Sequence, residues 1–409
     1  MYYYFLLICA LYFGFFDMPD TMPGLLRDIM FLPLFIYSLV VWKKSKRGIF
    51  LEMLLMFLFG TFVFYNVILL VSTEKYLSEI TSLLNIRIIY PFLLFFITIS
   101  VVNTKERLML AIKFGLIMSV IASLTAIAQS IYGSTPMFDP AGFYNIGHWE
   151  GQGGMMIGPI ARVTLPTLYF VYLVFIAMIL YFMVSGKIKH PALLILLTIV
   201  ILISFTRSAW LATLIAIIAA IVILNRYMLI NKNTFSISFI LLTLLSGGVV
   251  LFIMLDNPIS VSLNDRLLSI FSDLQNASGT FGYRLLNLQR FVELWKSFGF
   301  FFGVDPFFIG RFNEPTLADV GYVYVLVTIG LIGFILLILM WLLGIIYGYR
   351  LVKAGSVTMN YELILSGSIL SASIIFFIIS QAYTQYGFVT SIFSVVYGLA
   401  IASRRIYND

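Results

Sequence analysis

The chain has 409 residues, of which 61% are hydrophobic and only 11% charged, whereas soluble domains carry about 25% charged residues. This composition and a mean hydropathy of +1.04 exclude an ordinary soluble enzyme, a disordered chain and a collagen-like fibre. The net charge of +7 suggests nucleic-acid binding, but its distribution along the chain argues against that partner. A single cysteine, Cys9, excludes a disulfide framework, and two histidines argue against a dedicated transition-metal centre. We expect no cofactor.

Apolar segments recur along the whole chain, and most approach the ~20 residues that a helix needs to cross a bilayer. We predict twelve spans, at residues 1–16, 25–42, 49–71, 87–102, 108–131, 163–184, 190–206, 209–224, 235–255, 319–347, 363–381 and 386–402. Ten or eleven spans are the alternative counts. Because no basic residues precede the first segment and no small-residue cleavage site follows it, we predict a retained helix there, not a signal peptide. The predicted fold class is an all-α polytopic membrane protein, with residues 1–409 forming one integral membrane domain.

The basic residues of short loops orient such a chain, because these loops remain on the cytoplasmic side. The loop after span two contains Lys43, Lys44, Lys46 and Arg47 and is therefore predicted to be cytoplasmic. On this assignment 15 of the 25 Lys and Arg, but only four of the 18 Asp and Glu, lie on the cytoplasmic side. The other cytoplasmic cations are Lys105, Arg107, Lys113, Lys187, Lys189, Arg226, Lys232, Arg350, Lys353, Arg404 and Arg405. Both termini are predicted to be cytoplasmic.

Two outer segments are longer than a simple connection requires. Residues 132–162 are rich in Gly and Pro and are predicted to be irregular, whereas residues 256–318 form the largest outer loop. Within the second, Thr280 is placed to cap a helix that continues to Phe298. Apolar residues recur there at three- and four-residue steps, which predicts an amphipathic helix against the membrane surface or over the bundle.

Arginines at the predicted outer boundary suggest an anion site. Arg207 lies in the segment Ser204-Phe-Thr-Arg207-Ser-Ala-Trp210, which connects two spans with almost no loop. A charge at this depth needs a partner or a polar cavity, and Ser208 with the N-terminus of span eight would favour a phosphate. Arg162 and Arg87 open two other spans in the same way. The alternative for all three arginines is a side chain that simply extends to the membrane surface.

Acid–base chemistry has three outward candidates. His148 and Glu150 lie two residues apart in a Gly-rich loop, and Asp319 precedes the tenth span. Each can approach a substrate hydroxyl, and the alternative is an ordinary solvated loop residue. Arg284, Arg290 and Arg311 in the large outer loop suit ligand binding or, alternatively, surface ion pairs. The chain has no Gly-x-x-x-x-Gly-Lys-Ser/Thr motif, which argues against ATP-driven transport.

Three segments together resemble the O-antigen polymerase/ligase superfamily. The Ser204–Trp210 segment is similar to its Ser-Arg junction, and Arg284…Trp295…Phe302-Gly303-Val304-Asp305-Pro306 is similar to its outer loop. Gly321-Tyr-Val-Tyr-Val-Leu…Gly330-Leu-Ile-Gly333 resembles its return helix. The ligases have a His-Asn pair before that helix, where this chain reads Ala318-Asp319-Val320, so the resemblance favours a polymerase.

This resemblance implies a metal-independent, inverting glycosyltransferase of GT-C architecture in the bacterial inner membrane, active on the periplasmic face. Its substrate would be undecaprenyl-diphosphate-linked oligosaccharide, with membrane lipid and a polysaccharide co-polymerase, or chain-length regulator, as further partners. Arg207, Arg162, Arg87 and Ser208 would bind the diphosphate, and His148, Glu150 or Asp319 would activate the acceptor hydroxyl. Glycan binding is assigned to Arg284, Arg290, Arg311, Tyr322 and Tyr324.

Three other functions fit parts of the sequence. An O-antigen ligase would transfer the glycan to lipid A core. A flippase of lipid-linked oligosaccharides would need charges at mid-membrane depth and short loops on both sides, whereas the polar residues here gather on the outer side. A non-catalytic membrane scaffold would not need arginines at the ends of its spans.

Overall fold

The computed structural model describes the chain in separate ranges. They comprise residues 1–13, 24–44, 50–73, 90–132, 156–157, 160–161, 168–204, 207–230, 289, 292–293, 296, 300–303, 322–380 and 387–408. The predicted ninth span, 235–255, lies outside these ranges.

The described part of the chain is α-helical apart from one short β-hairpin, which confirms the all-α class. The helices are α1 (Tyr2–Phe13), α2 (Gly24–Lys44), α3 (Phe50–Thr73), α4 (Tyr90–Val101), α5 (Lys105–Tyr132), α6 (Leu168–Ser185), α7 (Pro191–Ile203), α8 (Arg207–Arg226), α9 (Tyr322–Thr358), α10 (Tyr361–Ser380) and α11 (Gly387–Asn408). Strands β1 (Met156–Ile157) and β2 (Ile160–Ala161) pair antiparallel inside the outer segment that we predicted to be irregular.

Several of these helices have the length and composition of membrane spans. Five helical segments of the described chain are long and apolar enough to cross a bilayer, at Lys105–Ile131, Leu168–Ser185, Ala209–Arg226, Ile329–Thr358 and Tyr361–Ser380. Shorter apolar helices occur at Ile29–Val41, Leu54–Leu69, Pro91–Val101 and Pro191–Ile203. The protein is therefore an α-helical membrane protein. Eleven of the predicted spans overlap a helix, and the number that cross the bilayer stays a prediction.

Helix α8 packs against its neighbours through small side chains. Its buried face includes the four small residues Ala209, Ala212, Ala216 and Ala220, all fully buried, whereas the larger Val222 is 65% exposed. Small side chains let helix backbones approach closely inside a membrane, where apolar side chains gain little by leaving lipid. This alanine face packs chiefly against α10 and α6.

Helices α9 and α10 approach each other even more closely, through facing glycines. A Cβ atom on Gly348 would lie 2.7 Å from the carbonyl oxygen of Gly367, and one on Gly367 would lie 2.4 Å from that of Gly348. Both distances are far below van der Waals contact, so neither position accommodates a side chain. The pair fixes α10 antiparallel against the second half of α9.

Basic and aromatic side chains meet at one end of the bundle. Four cations lie over aromatic rings at 5.5–5.7 Å, in the pairs Arg107–Tyr2, Lys105–Tyr407, Arg226–Tyr349 and Arg404–Tyr347. We call Lys105, Arg107, Arg226, Arg404 and Arg405 the basic collar. These contacts join the start of α1 to that of α5, the start of α5 to the end of α11, and α9 to the ends of α8 and α11. These cations therefore lie at one end of the bundle, and the side of the membrane on which that end lies stays a prediction.

A buried ion pair stabilises the bundle at the basic collar. The carboxylate of Glu52, only 1% exposed, accepts hydrogen bonds on Oε2 from Nε and Nη2 of Arg405, at 3.1 and 3.0 Å. Its Oε1 accepts a hydrogen bond of 3.0 Å from the buried Tyr347 hydroxyl. A buried carboxylate needs such complete pairing, because an uncompensated charge in this environment is very costly. The interaction connects α3, α9 and α11.

Replacing Glu52 by alanine should destabilise the protein by about 3–5 kcal/mol, because it leaves the Arg405 guanidinium without its counter-charge. Equilibrium unfolding in mixed micelles measures the effect. The matched control is Glu362→Ala, since Glu362 lies 4.0 Å from Lys105 with both side chains exposed. That variant should lose less than about 1 kcal/mol. Equal losses in the two variants would contradict a special role for the buried pair.

Candidate functional site

Most of the predicted site residues lie outside the described residues. These are His148, Glu150, Asp319, Arg87, Arg162, Arg284, Arg290 and Arg311. In the predicted amphipathic helix the described positions Gln289, Val292, Glu293 and Lys296 are helical, and the three polar ones are exposed. The remaining predicted residues, Arg207, Ser208, Tyr322 and Tyr324, lie in described helices.

The segment Ser204–Trp210 lies at the connection between α7 and α8. Helix α7 ends at Ile203, and α8 begins at Arg207, so very little chain separates them. The carbonyl of Ile201 in the last turn of α7 accepts hydrogen bonds from the Trp210 indole and the Ser204 hydroxyl, both at 2.7 Å. The last carbonyls of a helix lack intrahelical partners, and inside a membrane they must find others. Ser204 and Trp210 therefore make the short connection possible.

Arg207 and Ser208 are the first two residues of α8. The backbone N–H groups of a first helical turn carry partial positive charge and favour an anion. The sequence predicted this arrangement with a helix start at residue 209, and the helix begins two residues earlier. The side chains of Arg207 and Ser208 lie outside the described residues, so their binding of a diphosphate stays a prediction.

Helix α9 is not the single continuous span that we predicted over residues 319–347. Gly330 has φ 67° and ψ −177°, which breaks the helix into a first arm, 322–329, and a second arm, 331–358. In a straight helix Tyr322 and Trp341 would lie about 28 Å apart, yet their ring centroids are 6.0 Å apart. The first arm therefore folds back along the second. Apolar composition could not reveal this reversal, because both arms are hydrophobic.

The end of the large outer loop packs into this break. The backbone N–H groups of Leu331 and Ile332 donate to the carbonyls of Phe300 and Phe301, both at 3.1 Å. A Cβ atom on Gly330 would lie 2.3 Å from the backbone nitrogen of Gly303. Only glycine fits this position, because of both the positive φ and the contact. The carbonyl groups of Phe300 and Phe301 thus cap the second arm, because the break leaves its first N–H groups without acceptors in the helix itself.

Tyr65 of α3 joins the loop to the broken helix, and sequence reasoning missed it. Its hydroxyl lies 2.9 Å from the carbonyl oxygen of Phe302 and 2.7 Å from that of Ile329, in position to donate to both. Tyr65 and Phe302 are 237 residues apart in the sequence, so this contact is a purely tertiary one. Nothing in the local pattern of an apolar helix distinguishes this tyrosine from the many others in the chain.

Tyr322 is held inside the bundle. Its hydroxyl donates to the carbonyl of Ile378 in α10, and its ring packs edge-on against Phe334 and Trp341. These contacts anchor the first arm of α9. Its assignment to glycan binding stays a prediction, as does that of Tyr324, whose side chain lies outside the described residues.

The Ser204–Trp210 junction and the first arm of α9 meet on the same stretch of α10. The Tyr172 hydroxyl forms a buried hydrogen bond of 2.6 Å with the Ser204 hydroxyl. The ring of Tyr172 packs against Phe376 at 5.6 Å, and Ile378, which binds Tyr322, is only two residues further along α10. This end of α10 lies about 24 Å from Glu362, at the opposite end of the bundle from the basic collar.

No family model matches the sequence of this chain, and no curated protein matches it. Among the described residues, no group of three or more His, Cys, Asp and Glu is placed to hold a metal ion. The functional interpretation therefore depends on the segments just described and on the resemblance of their sequences.

Proposed function

We propose that the protein is a glycosyltransferase that polymerises undecaprenyl-diphosphate-linked oligosaccharide repeat units into O-antigen or a related surface polysaccharide. One observation supports this proposal most. The three segments that resemble the polymerase/ligase superfamily are distant in sequence. Described residues of two of them are in direct contact, and the third is linked to them through Tyr172 of α6 and Phe376 of α10. Residues 300–303 bind the break at Gly330, and the Ser204–Trp210 junction reaches the arm of Tyr322 through Tyr172 and α10.

The proposed chemistry is transfer with inversion at the anomeric carbon of the donor. The acceptor hydroxyl of the next repeat unit attacks that carbon, the bond to the diphosphate oxygen breaks, and the hydroxyl proton passes to His148, Glu150 or Asp319. The leaving diphosphate gains negative charge as its bond breaks. Fixed positive charge and N–H dipoles in a low-dielectric site stabilise such charge without a metal ion. The Arg207 side chain would supply the positive charge and the first turn of α8 the N–H dipoles. Arg162 and Arg87 would assist.

The proposal includes the finer features implied by the resemblance: twelve spans, GT-C architecture and an active face on the periplasmic side of the bacterial inner membrane. With both termini cytoplasmic, the basic collar would face the cytoplasm. The site near Ile378 would then face the periplasm, where repeat units arrive after they cross the membrane. A polysaccharide co-polymerase is proposed as a partner that sets chain length.

A transporter of lipid-linked oligosaccharides is the second candidate, because α9 is broken. Discontinuous helices are typical of transporters, in which the free backbone groups at the break bind substrate or ion. Here the carbonyls of Phe300 and Phe301 already occupy the N–H groups of Leu331 and Ile332. These hydrogen bonds hold the outer loop at the break and leave neither N–H group for a transported substrate, which favours the enzyme over the transporter.

Reconstitution with substrate tests the proposed function. The purified protein, in liposomes that contain lipid-diphosphate repeat units, is incubated with EDTA and without nucleotide, and glycan length is followed by gel electrophoresis. We expect a ladder of products that are multiples of one repeat unit. Absence of extension with several authentic repeat units would contradict the polymerase. Transbilayer movement without extension would favour the transporter, and transfer to added lipid A core without a ladder would favour the ligase.

A further inference from the structure

Helix α11 presents three unsatisfied hydrogen-bond donors beside the basic collar. The Nε and Nη1 atoms of Arg404 and the hydroxyl of Tyr407 are buried and have no hydrogen-bond partner. Arg404 and Tyr407 are three residues apart, so their side chains are neighbours on one face of the helix. Buried donors without acceptors cost free energy, most of all on a charged group. Three such donors on one face therefore indicate a missing acceptor.

The charges around these donors favour an anion. The hydrogen bonds that Glu52 accepts come from Arg405 and Tyr347, and Arg404 interacts with the same Tyr347. Arg404 itself lies over the Tyr347 ring at 5.5 Å, and Lys105 lies at the same distance over the ring of Tyr407. The carboxylate in contact with Lys105 is that of Glu362, an exposed group 4.0 Å away. Among the described residues of this cluster, these three cations and two carboxylates, with the neighbouring pair Glu106 and Arg107, leave one excess positive charge.

We propose that Arg404, Tyr407 and Lys105 bind a phosphate group at this end of the bundle. A phosphate offers several acceptor oxygens and negative charge, which suits a guanidinium and a hydroxyl together. The bilayer presents such groups as the headgroups of anionic phospholipids, at the depth where basic and aromatic residues gather on membrane proteins. Soluble phosphate offers the same chemistry. The proposal is independent of the proposed enzymatic function.

Binding of phosphatidylglycerol to the intact protein tests the site. Native mass spectrometry of the detergent-solubilised protein, titrated with phosphatidylglycerol, gives the dissociation constant for the tightest lipid. Arg404→Gln should weaken that binding roughly tenfold or more, since it removes hydrogen bonds from a charged donor. Tyr407→Phe removes only a hydroxyl and should weaken binding about two- to tenfold. The second variant keeps the test decisive if Arg404→Gln fails to fold.

The matched control is Arg226→Gln, in which a different and exposed member of the basic collar loses its charge. It should change the dissociation constant less than about twofold, because no buried unsatisfied atom belongs to Arg226 among the described residues. A second arm titrates inorganic phosphate in the absence of anionic lipid. Binding of phosphate with the same sensitivity to Arg404→Gln and Tyr407→Phe would support the site and assign it to soluble phosphate. Unchanged binding of both ligands in both variants would overturn the proposal.

Discussion

Replacing Arg207 by alanine should reduce glycan extension at least about 100-fold while the protein remains folded. Removing one fixed donor to a developing negative charge typically costs this much in catalytic rate. The fold should survive because α8 packs through Ala209, Ala212, Ala216 and Ala220, and Arg207 precedes that face at the helix start. The measurement is the initial rate of extension with lipid-diphosphate repeat units, together with the elution profile of the purified variant.

Arg226→Ala is the control for this prediction, since Arg226 ends the same helix at the basic collar. It removes the same charge from the same helix at the opposite end of the bundle, and it should keep the wild-type rate. Wild-type extension in Arg207→Ala would show instead that Arg207 merely extends to the membrane surface. Equal loss in both variants would indicate damage to α8 in general.

Replacing Gly330 by alanine should prevent the outer loop from packing and cost about 4 kcal/mol or more of stability, a loss seen only for severe steric defects. The new Cβ would lie 2.3, 2.4 and 2.5 Å from backbone atoms of Gly303, Phe301 and Phe302. Backbone atoms cannot move aside as a flexible side chain can, and φ of 67° is itself unfavourable for alanine. Equilibrium unfolding in mixed micelles, with cleavage of the outer loop by added protease, measures the effect.

Gly60→Ala in α3 provides the comparison, because a Cβ atom there would meet nothing within 4 Å. Alanine is the better helix former, so that variant should be unchanged or more stable by up to about 1 kcal/mol. If Gly330→Ala were as stable as Gly60→Ala and equally resistant to protease, the observed break in α9 would be wrong.

The sequence by itself determined the helices and the gathering of Lys and Arg at one end of the bundle. Long apolar runs predict helices because a membrane leaves backbone groups no partner except one another. The distribution of Lys and Arg predicted that Lys105, Arg226 and Arg404 lie at one end, and their aromatic contacts confirm it. The Ser204–Trp210 junction could also be predicted, because the apolar runs on either side of Arg207 leave almost no residues for a loop.

Tertiary structure alone decided which distant residues meet. The reversal at Gly330, the hydrogen bonds of Tyr65 and the pairing of Glu52 with Arg405 all join residues remote in the sequence. The periodicity of apolar residues identifies the packed face of a helix only when the other faces are polar. In a membrane helix nearly every face is apolar, so periodicity does not show which face packs against a neighbour. The partner of a buried polar group is therefore fixed by packing, because each such group must find its hydrogen bond wherever the bundle supplies one.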